Sequence, residues 1–225
     1  MSRIDAKPRS RRSVLLELWL AYLLILVVIW TPRPEQKILW WVAAAAVVVC
    51  TIRSFDGTAA MGLRGSGFLR SLWVVGIALA LCGLAVLVAL HFNTLHLPAG
   101  GAWGFLKNYW AYAVWALAQQ FLLQAFFLLR FLRLIRRERL AALAATVIFA
   151  VAHLPNPILT AVTLLWGGAA CLIFLRYRNL YTLALAHAIF GITISLTVPG
   201  PVDHNMRVGL SYLNYHHGHQ HLPQP

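Results

Sequence analysis

The sequence predicts an all-α fold, a polytopic membrane helix bundle of about seven transmembrane helices with its N-terminus in the cytoplasm. Hydrophobic residues make up 60% of the 225-residue chain and charged residues only 11%, whereas about 25% of a soluble domain is charged. The long apolar runs lack the alternating pattern of barrel strands, and in hydrocarbon a helix satisfies its own backbone hydrogen bonds. These observations exclude a soluble single-core domain and favour membrane-spanning helices.

Seven apolar segments approach the length of about 20 residues that a membrane span requires. They are residues 14–30, 38–52, 71–92, 108–129, 140–153, 157–175 and 179–198. The second and fifth segments are short for a full crossing. We interpret the first segment as a retained anchor, because it is longer than the apolar region of a cleavable signal peptide and is followed by a poor cleavage site.

The basic residues indicate the orientation of the bundle. The chain has 19 Lys and Arg against 6 Asp and Glu, a formal net charge of +13. Fifteen of the 19 either precede the first segment or fall in the loops after the second, fourth and sixth segments. Cytoplasmic loops carry such an excess, which predicts a cytoplasmic N-terminus and an external C-terminus. Because orientation and contact with anionic lipid explain the charge, we expect membrane lipids as partners and no nucleic acid.

The chain is interpreted as one membrane domain with two polar ends. Residues 1–13 form a basic cytoplasmic segment, residues 14–198 the transmembrane bundle, and residues 199–225 an extracytoplasmic tail with a His-rich end. Small residues at 167–170 predict close helix packing, and the three cysteines are interpreted as buried hydrophobic residues. We expect an integral multi-pass protein of a bacterial cytoplasmic membrane.

Five polar side chains inside the predicted spans are the candidate functional residues. Gln119, Gln120 and Gln124 lie in the fourth segment, His153 ends the fifth, and His187 lies in the seventh. Polar residues within membrane spans are rare and mark functional sites by default. At about 1.5 Å per residue these five lie at overlapping depths, so we expect them to face one another. Hydrogen bonding between helices is the alternative explanation for the glutamines.

The order and spacing of these residues resemble the helix motifs of the CPBP intramembrane proteases, the CAAX-protease and bacteriocin-processing (Abi-like) family. Its three motifs are Glu-Glu-x-x-x-Arg, Phe-x-x-x-His and His-x-x-x-Asn/Asp. The corresponding stretches of this chain are 119–124, Phe149 to His153, and 187–191. The second motif matches at both fixed positions, and the resemblance covers a core at about residues 109–196.

The resemblance implies an intramembrane endopeptidase that hydrolyses peptide bonds of membrane-associated or prenylated substrates. In the family a glutamate and the first histidine activate water, and the second histidine helps to hold the site. By that correspondence His153 and His187 are the catalytic or metal-binding positions, and the metal would be a divalent ion such as zinc. Gln119 and Gln120 stand at the two glutamate positions, and Gln124 stands at the arginine position.

The glutamine substitutions change the expected chemistry. A glutamine amide cannot accept a proton near neutral pH, whereas general-base assistance contributes about 10²–10⁴ in rate. The Asn/Asp of the third motif is also replaced, since Gly191 occupies that position. Three interpretations stay open. The protein is a peptidase that uses a histidine as base, a degenerate relative that binds membrane peptides without cleavage, or a small transporter or structural membrane subunit.

Overall fold

The structure is a computed structural model that describes residues 9–215. Residues 1–8 and 216–225 lie outside the described residues, and with them most of the predicted N-terminal segment and the His-rich end of the predicted tail. Between residues 9 and 215 the chain folds into helices and contains no β-strand. The all-α prediction is therefore confirmed for the part of the chain that the structure describes.

The described chain consists of α-helices joined by short connections, with one π-helical segment and one 3₁₀ turn. The α-helices are α1 (Arg11–Ile29), α2 (Glu35–Arg53), α3 (Phe68–Ser71), α4 (Trp73–His91), α5 (Gly101–Gln120), α6 (Leu129–Leu134), α7 (Glu138–Val151), α8 (Pro157–Tyr177), α9 (Leu180–Thr197), α10 (Gly200–Asp203) and α11 (Gly209–Leu213). The π-helical segment, Phe121–Leu128, joins α5 to α6 without a break, and the 3₁₀ turn is His204–Met206.

Six helical stretches of the described chain are long and apolar enough to cross a membrane. They are Arg11–Ile29, Glu35–Arg53, Phe68–His91, Gly101–Leu134, Pro157–Tyr177 and Leu180–Thr197. They coincide with six of the seven predicted segments, and the protein is a multi-pass helical membrane protein. The fifth predicted segment also forms a helix, α7, but its 14 residues extend only about 21 Å. By length α7 falls short of the hydrocarbon core, which is about 30 Å thick.

Asparagine caps fix the starting points of the two helices that follow α7. The side-chain oxygen of Asn156, before α8, accepts a hydrogen bond from the Leu159 amide at 3.0 Å. Asn179 caps α9 in the same way by accepting from the Thr182 amide at 3.1 Å. Such caps satisfy amides that have no partner within the helix. The start of α9, and with it the position of His187 along the bundle, is therefore set by a local interaction.

Small residues allow α7 and α8 to pack closely. Ala141 and Ala145 of α7 are buried, and a Cβ atom added to Gly167 of α8 would lie 3.4 Å from the Phe149 ring. The predicted close packing of residues 167–170 is confirmed at Gly167. Helices α4 and α5 pack against α9, which makes α9 the most buried of the six spans.

Arg130 lies inside the protein, although the sequence places it in the loop after the fourth predicted segment. The helix continues to Leu134, and Arg130 is only 3% exposed. Its guanidinium donates to the Cys50 carbonyl at 3.1 Å, the Ser54 hydroxyl at 2.7 Å and the Glu17 carboxylate at 3.1 Å. These bonds tie α6 to α1 and α2 and supply the partners that a buried charge requires.

Residues 199–215, the first part of the predicted tail, pack against the end of the bundle at which α7 ends. Asn156 donates to the backbone carbonyl of Asp203 at 2.7 Å, and the Gly209 amide donates to the Leu154 carbonyl at 2.8 Å. The Asp203 side chain is buried, and this burial raises the pKa of its carboxyl group. These residues therefore belong to the packed structure.

Candidate functional site

A hydrogen bond between Gln120 and His187 joins α5 to α9. Gln120 Nε2 lies 2.9 Å from His187 Nδ1, and both side chains are buried. Because an amide nitrogen only donates, Nδ1 accepts and the ring proton resides on Nε2. Gln124 Nε2 in turn donates to Gln120 Oε1 at 3.3 Å. Two of the three predicted glutamines thus form a hydrogen-bonded chain that ends on a predicted histidine.

This chain of amides lies on one buried face of the helix. Gln120 and Gln124 are four residues apart, which brings them onto the same helix face, and neither is exposed. Gln124 lies in the π-helical segment, and its Oε1 atom has no hydrogen-bond partner within residues 9–215. A polar group buried without a partner is unfavourable. The Gln120 amide, in contrast, uses both its nitrogen and its oxygen, and it links Gln124 to His187.

His153 lies just beyond the end of α7 and is bonded to its own backbone. Its Nδ1 lies 2.7 Å from the Phe149 carbonyl oxygen. A carbonyl only accepts, so Nδ1 carries the proton and Nε2 is left with its lone pair. The Phe149 ring lies 4.9 Å from the His153 ring and 6.3 Å from the His187 ring, between centroids. The sum of these distances bounds the separation of the two imidazoles at about 11 Å.

An apolar cavity of about 870 Å³ lies between the helices and reaches this group of residues. Its wall is built by α1, α2, α5, α7, α8 and α9 and is mostly aliphatic and aromatic. Gln119, His153 and His187 belong to the wall, whereas Gln120 and Gln124 do not. Sites for drug-sized ligands measure about 300–1,000 Å³. The structure therefore brings all five predicted residues to one region and places three of them against a cavity of ligand size.

No Asp, Glu, Lys or Arg of residues 9–215 lines this cavity. Glu17, the carboxylate that the sequence places at the start of the first span, forms ion pairs with Arg9 and Arg130. Asp56 forms an ion pair with Arg133. The cavity wall therefore offers imidazoles, amides and hydroxyls, and among the described residues no carboxylate is available there as a general base.

The predicted divalent metal does not fit the side chains that meet here. Structural and catalytic zinc sites use three or four protein ligands, and residues 9–215 contain no group of three or more His, Cys, Asp or Glu with metal-binding geometry. The Gln120 bond also fixes the proton of His187 on Nε2, which leaves that ring without a free lone pair. Of the two predicted metal ligands, only His153 Nε2 has a free lone pair.

Two residues of this region were not identified from the sequence. Tyr112 and Trp166 line the cavity beside His187, and the Trp166 ring lies 6.5 Å from the His187 ring. The Tyr112 hydroxyl occupies the space next to Gly191, where a Cβ atom would approach it to 1.7 Å. One signal was available for Tyr112. It precedes Gln120 by eight residues, close to two helical turns, and so lies on the same face.

No protein-family model, no curated protein and no solved structure matches this chain. The resemblance to the CPBP proteases thus depends on the three motif stretches alone, and the family assignment stays a prediction.

Proposed function

We propose that this protein binds the apolar part of a membrane-tethered or prenylated peptide without cleaving it, as a catalytically degenerate relative of the CPBP proteases. The observation that carries the proposal is the 870 Å³ apolar cavity, which contacts the motif histidines but, within residues 9–215, no carboxylate. An apolar chain is favourable in such a space, because burial of apolar surface contributes about 25 cal/mol per Å².

The states of His187 and Gln119 support binding rather than hydrolysis. Activation of water requires a base with a free lone pair near the reacting bond. His187 has its Nδ1 occupied by Gln120 and its proton on Nε2, so it acts as a donor. Gln119 faces the cavity at the position of a motif glutamate, and its amide takes up no proton. The polar wall is suited to holding a ligand oxygen.

One observation favours a second candidate, an active peptidase. His153 Nε2 has its lone pair available, because its Nδ1 is used by the Phe149 carbonyl, and His153 lines the cavity. A neutral imidazole nitrogen with a free lone pair serves as a general base in many enzymes. In this alternative His153 activates water directly and the glutamines only hold the site together.

We further propose seven crossings, with α7 as a short fifth crossing and the N-terminus in the cytoplasm. The distribution of basic residues supports this orientation. Arg136 and Arg137 precede α7 and Arg139 lies in its first turn, while Arg176 lies in the last turn of α8 and Arg178 follows it. Single cysteines introduced at the two ends of α7 test this topology through their accessibility in sealed vesicles.

Location in a bacterial cytoplasmic membrane stays a prediction. The transporter alternative also stays a prediction, and it predicts solute flux in liposomes.

The test is a cleavage and binding assay with purified protein and a panel of membrane-tethered and prenylated peptides. We expect wild-type protein and the His153→Ala variant to retain peptide without product formation. The Gln120→Glu and Gln119→Glu variants restore a carboxylate at the motif positions, and product formed only by them supports a degenerate protease. Cleavage by the wild type that disappears in His153→Ala would establish the peptidase instead. If the wild-type protein binds none of the peptides, both the binding proposal and the peptidase proposal are refuted.

A further inference from the structure

The polar side chains of the cavity wall fall into two groups. One group is satisfied by the protein itself: each member donates to a backbone carbonyl at 2.6–3.0 Å. These are Tyr22, Gln36, Thr163 and Tyr181. The other group includes Tyr112 and the Nε2–H of His187, whose hydrogens have no acceptor among residues 9–215. The Trp166 Nε1–H also lacks an acceptor among the described residues, and Gln119 forms no described hydrogen bond. Tyr112 and His187 are the two donors that share the stretch of wall around Gly191.

The Tyr112 hydroxyl packs against the helix that carries His187 because position 191 is glycine. Gly191 follows His187 by four residues, so it lies one turn further along the same face of α9. A Cβ atom at 191 would lie 1.7 Å from the Tyr112 hydroxyl oxygen and 2.3 Å from its ring carbon Cζ. Any other residue would displace the phenol. The missing side chain thus allows a hydroxyl from α5 to lie against α9, one helical turn from His187.

The charge of the wall restricts the ligand. Within the described chain no Lys, Arg, Asp or Glu lines the cavity. A phosphate or carboxylate moved there from water would lose its solvation without gaining a counter-charge, which costs several kcal/mol. An uncharged oxygen acceptor, in contrast, matches the two donors.

We propose that Tyr112 Oη–H and His187 Nε2–H together bind the uncharged carbonyl oxygen at the head of a long alkyl chain, whose apolar part fills the cavity. This inference depends on the proposed binding function and specifies its ligand as an acyl ester or amide. Such a carbonyl occurs both in neutral glycerolipids and in lipid-modified peptides. Gln120 is the positioning residue. Its amide donates to His187 Nδ1 and thereby keeps the ring proton on Nε2, where it can bind the ligand oxygen.

The experiment compares three probes of equal chain length on the full-length protein at a fixed detergent concentration. They are tritiated methyl palmitate, hexadecyl methyl ether, which lacks the carbonyl, and palmitate at pH 8, which is ionised. We expect the wild type to bind the ester about two- to tenfold more tightly than the ether, as one or two hydrogen bonds to a neutral acceptor predict. Palmitate is expected to bind more weakly than the ester.

Tyr112→Phe should reduce the preference for ester over ether, because only the His187 donor remains, while leaving ether binding unchanged. Gly191→Ala should have the same effect without deleting the hydroxyl, because its Cβ displaces the phenol. Tyr109→Phe is the matched control, since Tyr109 lies on the same helix but bonds to Ser195 at 3.4 Å and does not line the cavity. It should keep the wild-type preference.

The outcomes separate the two proposals. If neither ester nor ether binds to the wild type while the membrane-tethered peptides do, the carbonyl site is refuted and the proposed peptide binding stands. If no peptide binds either, the proposed binding function fails. If both ester and ether bind and the preference is undiminished in Tyr112→Phe, or is absent from the wild type, the carbonyl site is refuted and the cavity remains an apolar binding site. Competition by monopalmitoylglycerol or by N-palmitoyl-glycinamide identifies the source of the carbonyl as lipid or acylated peptide. Displacement of methyl palmitate by neither would overturn the site.

Discussion

The hydrogen bonds of Gln120 provide the sharpest test of the site. Gln120→Leu keeps the approximate volume of the side chain but removes its bonds to His187 at 2.9 Å and from Gln124 at 3.3 Å. Interhelical hydrogen bonds in membrane proteins contribute about 0.6 kcal/mol on average and up to about 1.7 kcal/mol each. Loss of two such bonds, with both partners left buried, predicts a decrease of about 1–3 kcal/mol in the free energy of unfolding.

The assay is reversible unfolding in mixed micelles, with denaturing detergent as the variable and tryptophan fluorescence as the signal. Gln119→Leu is the matched control, because Gln119 is the adjacent residue, faces the cavity and makes no described hydrogen bond. Its free energy should stay within about 0.5 kcal/mol of the wild type. The double variant Gln120→Leu/Gln124→Leu should cost less than the two single variants together, because it no longer strands the Gln124 amide.

A Gln120→Leu variant as stable as the wild type would refute this reasoning. It would mean that the chain of amides contributes nothing to the packing of α5 against α9. An equal loss in Gln119→Leu would also contradict it, since the effect would then follow from the apolar substitution and not from the hydrogen bonds.

Three further predictions concern the surrounding structure. Asp203→Asn should raise the melting temperature at pH 7–8, because burial disfavours the charged carboxylate and raises the pKa of this carboxyl in the folded state. The gain in melting temperature should vanish as the pH falls through that pKa. A difference between variant and wild type that does not depend on pH would contradict this prediction. Arg130→Met should lower the free energy of unfolding by about 3–5 kcal/mol, because it leaves the Glu17 charge without this partner. The double variant Arg130→Met/Glu17→Met should recover part of this loss in the same unfolding assay. Gly167→Leu should destabilise by about 1–3 kcal/mol through overpacking against α7, whereas Gly167→Ala, whose Cβ has room at 3.4 Å, should stay close to the wild type.

The positions of the candidate residues along the helices were predictable, but their contacts were not. The motif spacing selected Gln120 and His187, which lie 67 residues apart in the chain and share a hydrogen bond. It did not distinguish Gln120, which reaches the imidazole, from Gln119, which faces the cavity. Adjacent helix residues point about 100° apart, and which direction is the interior depends on the neighbouring helices.

Gly191 shows the limit of motif reasoning most clearly. In the sequence it is only a departure from the Asn/Asp of the third motif. In the structure it is the gap that the Tyr112 hydroxyl fills, with a Cβ position 1.7 Å from that oxygen. The partner comes from another helix, 79 residues earlier in the chain, so no local pattern around position 191 contains it.

The sequence by itself determined the membrane class, the helical fold and the approximate limits of the spans, because these follow from solvation. A run of about 20 apolar residues is stable in hydrocarbon only as a helix, whatever its neighbours are. The tertiary structure decided which polar groups meet, that Arg130 is buried among α1, α2 and α6, and that α7 is too short to match the other spans. It also decided the cavity, since an empty space is defined by the packing of several helices together and by no single segment of the chain.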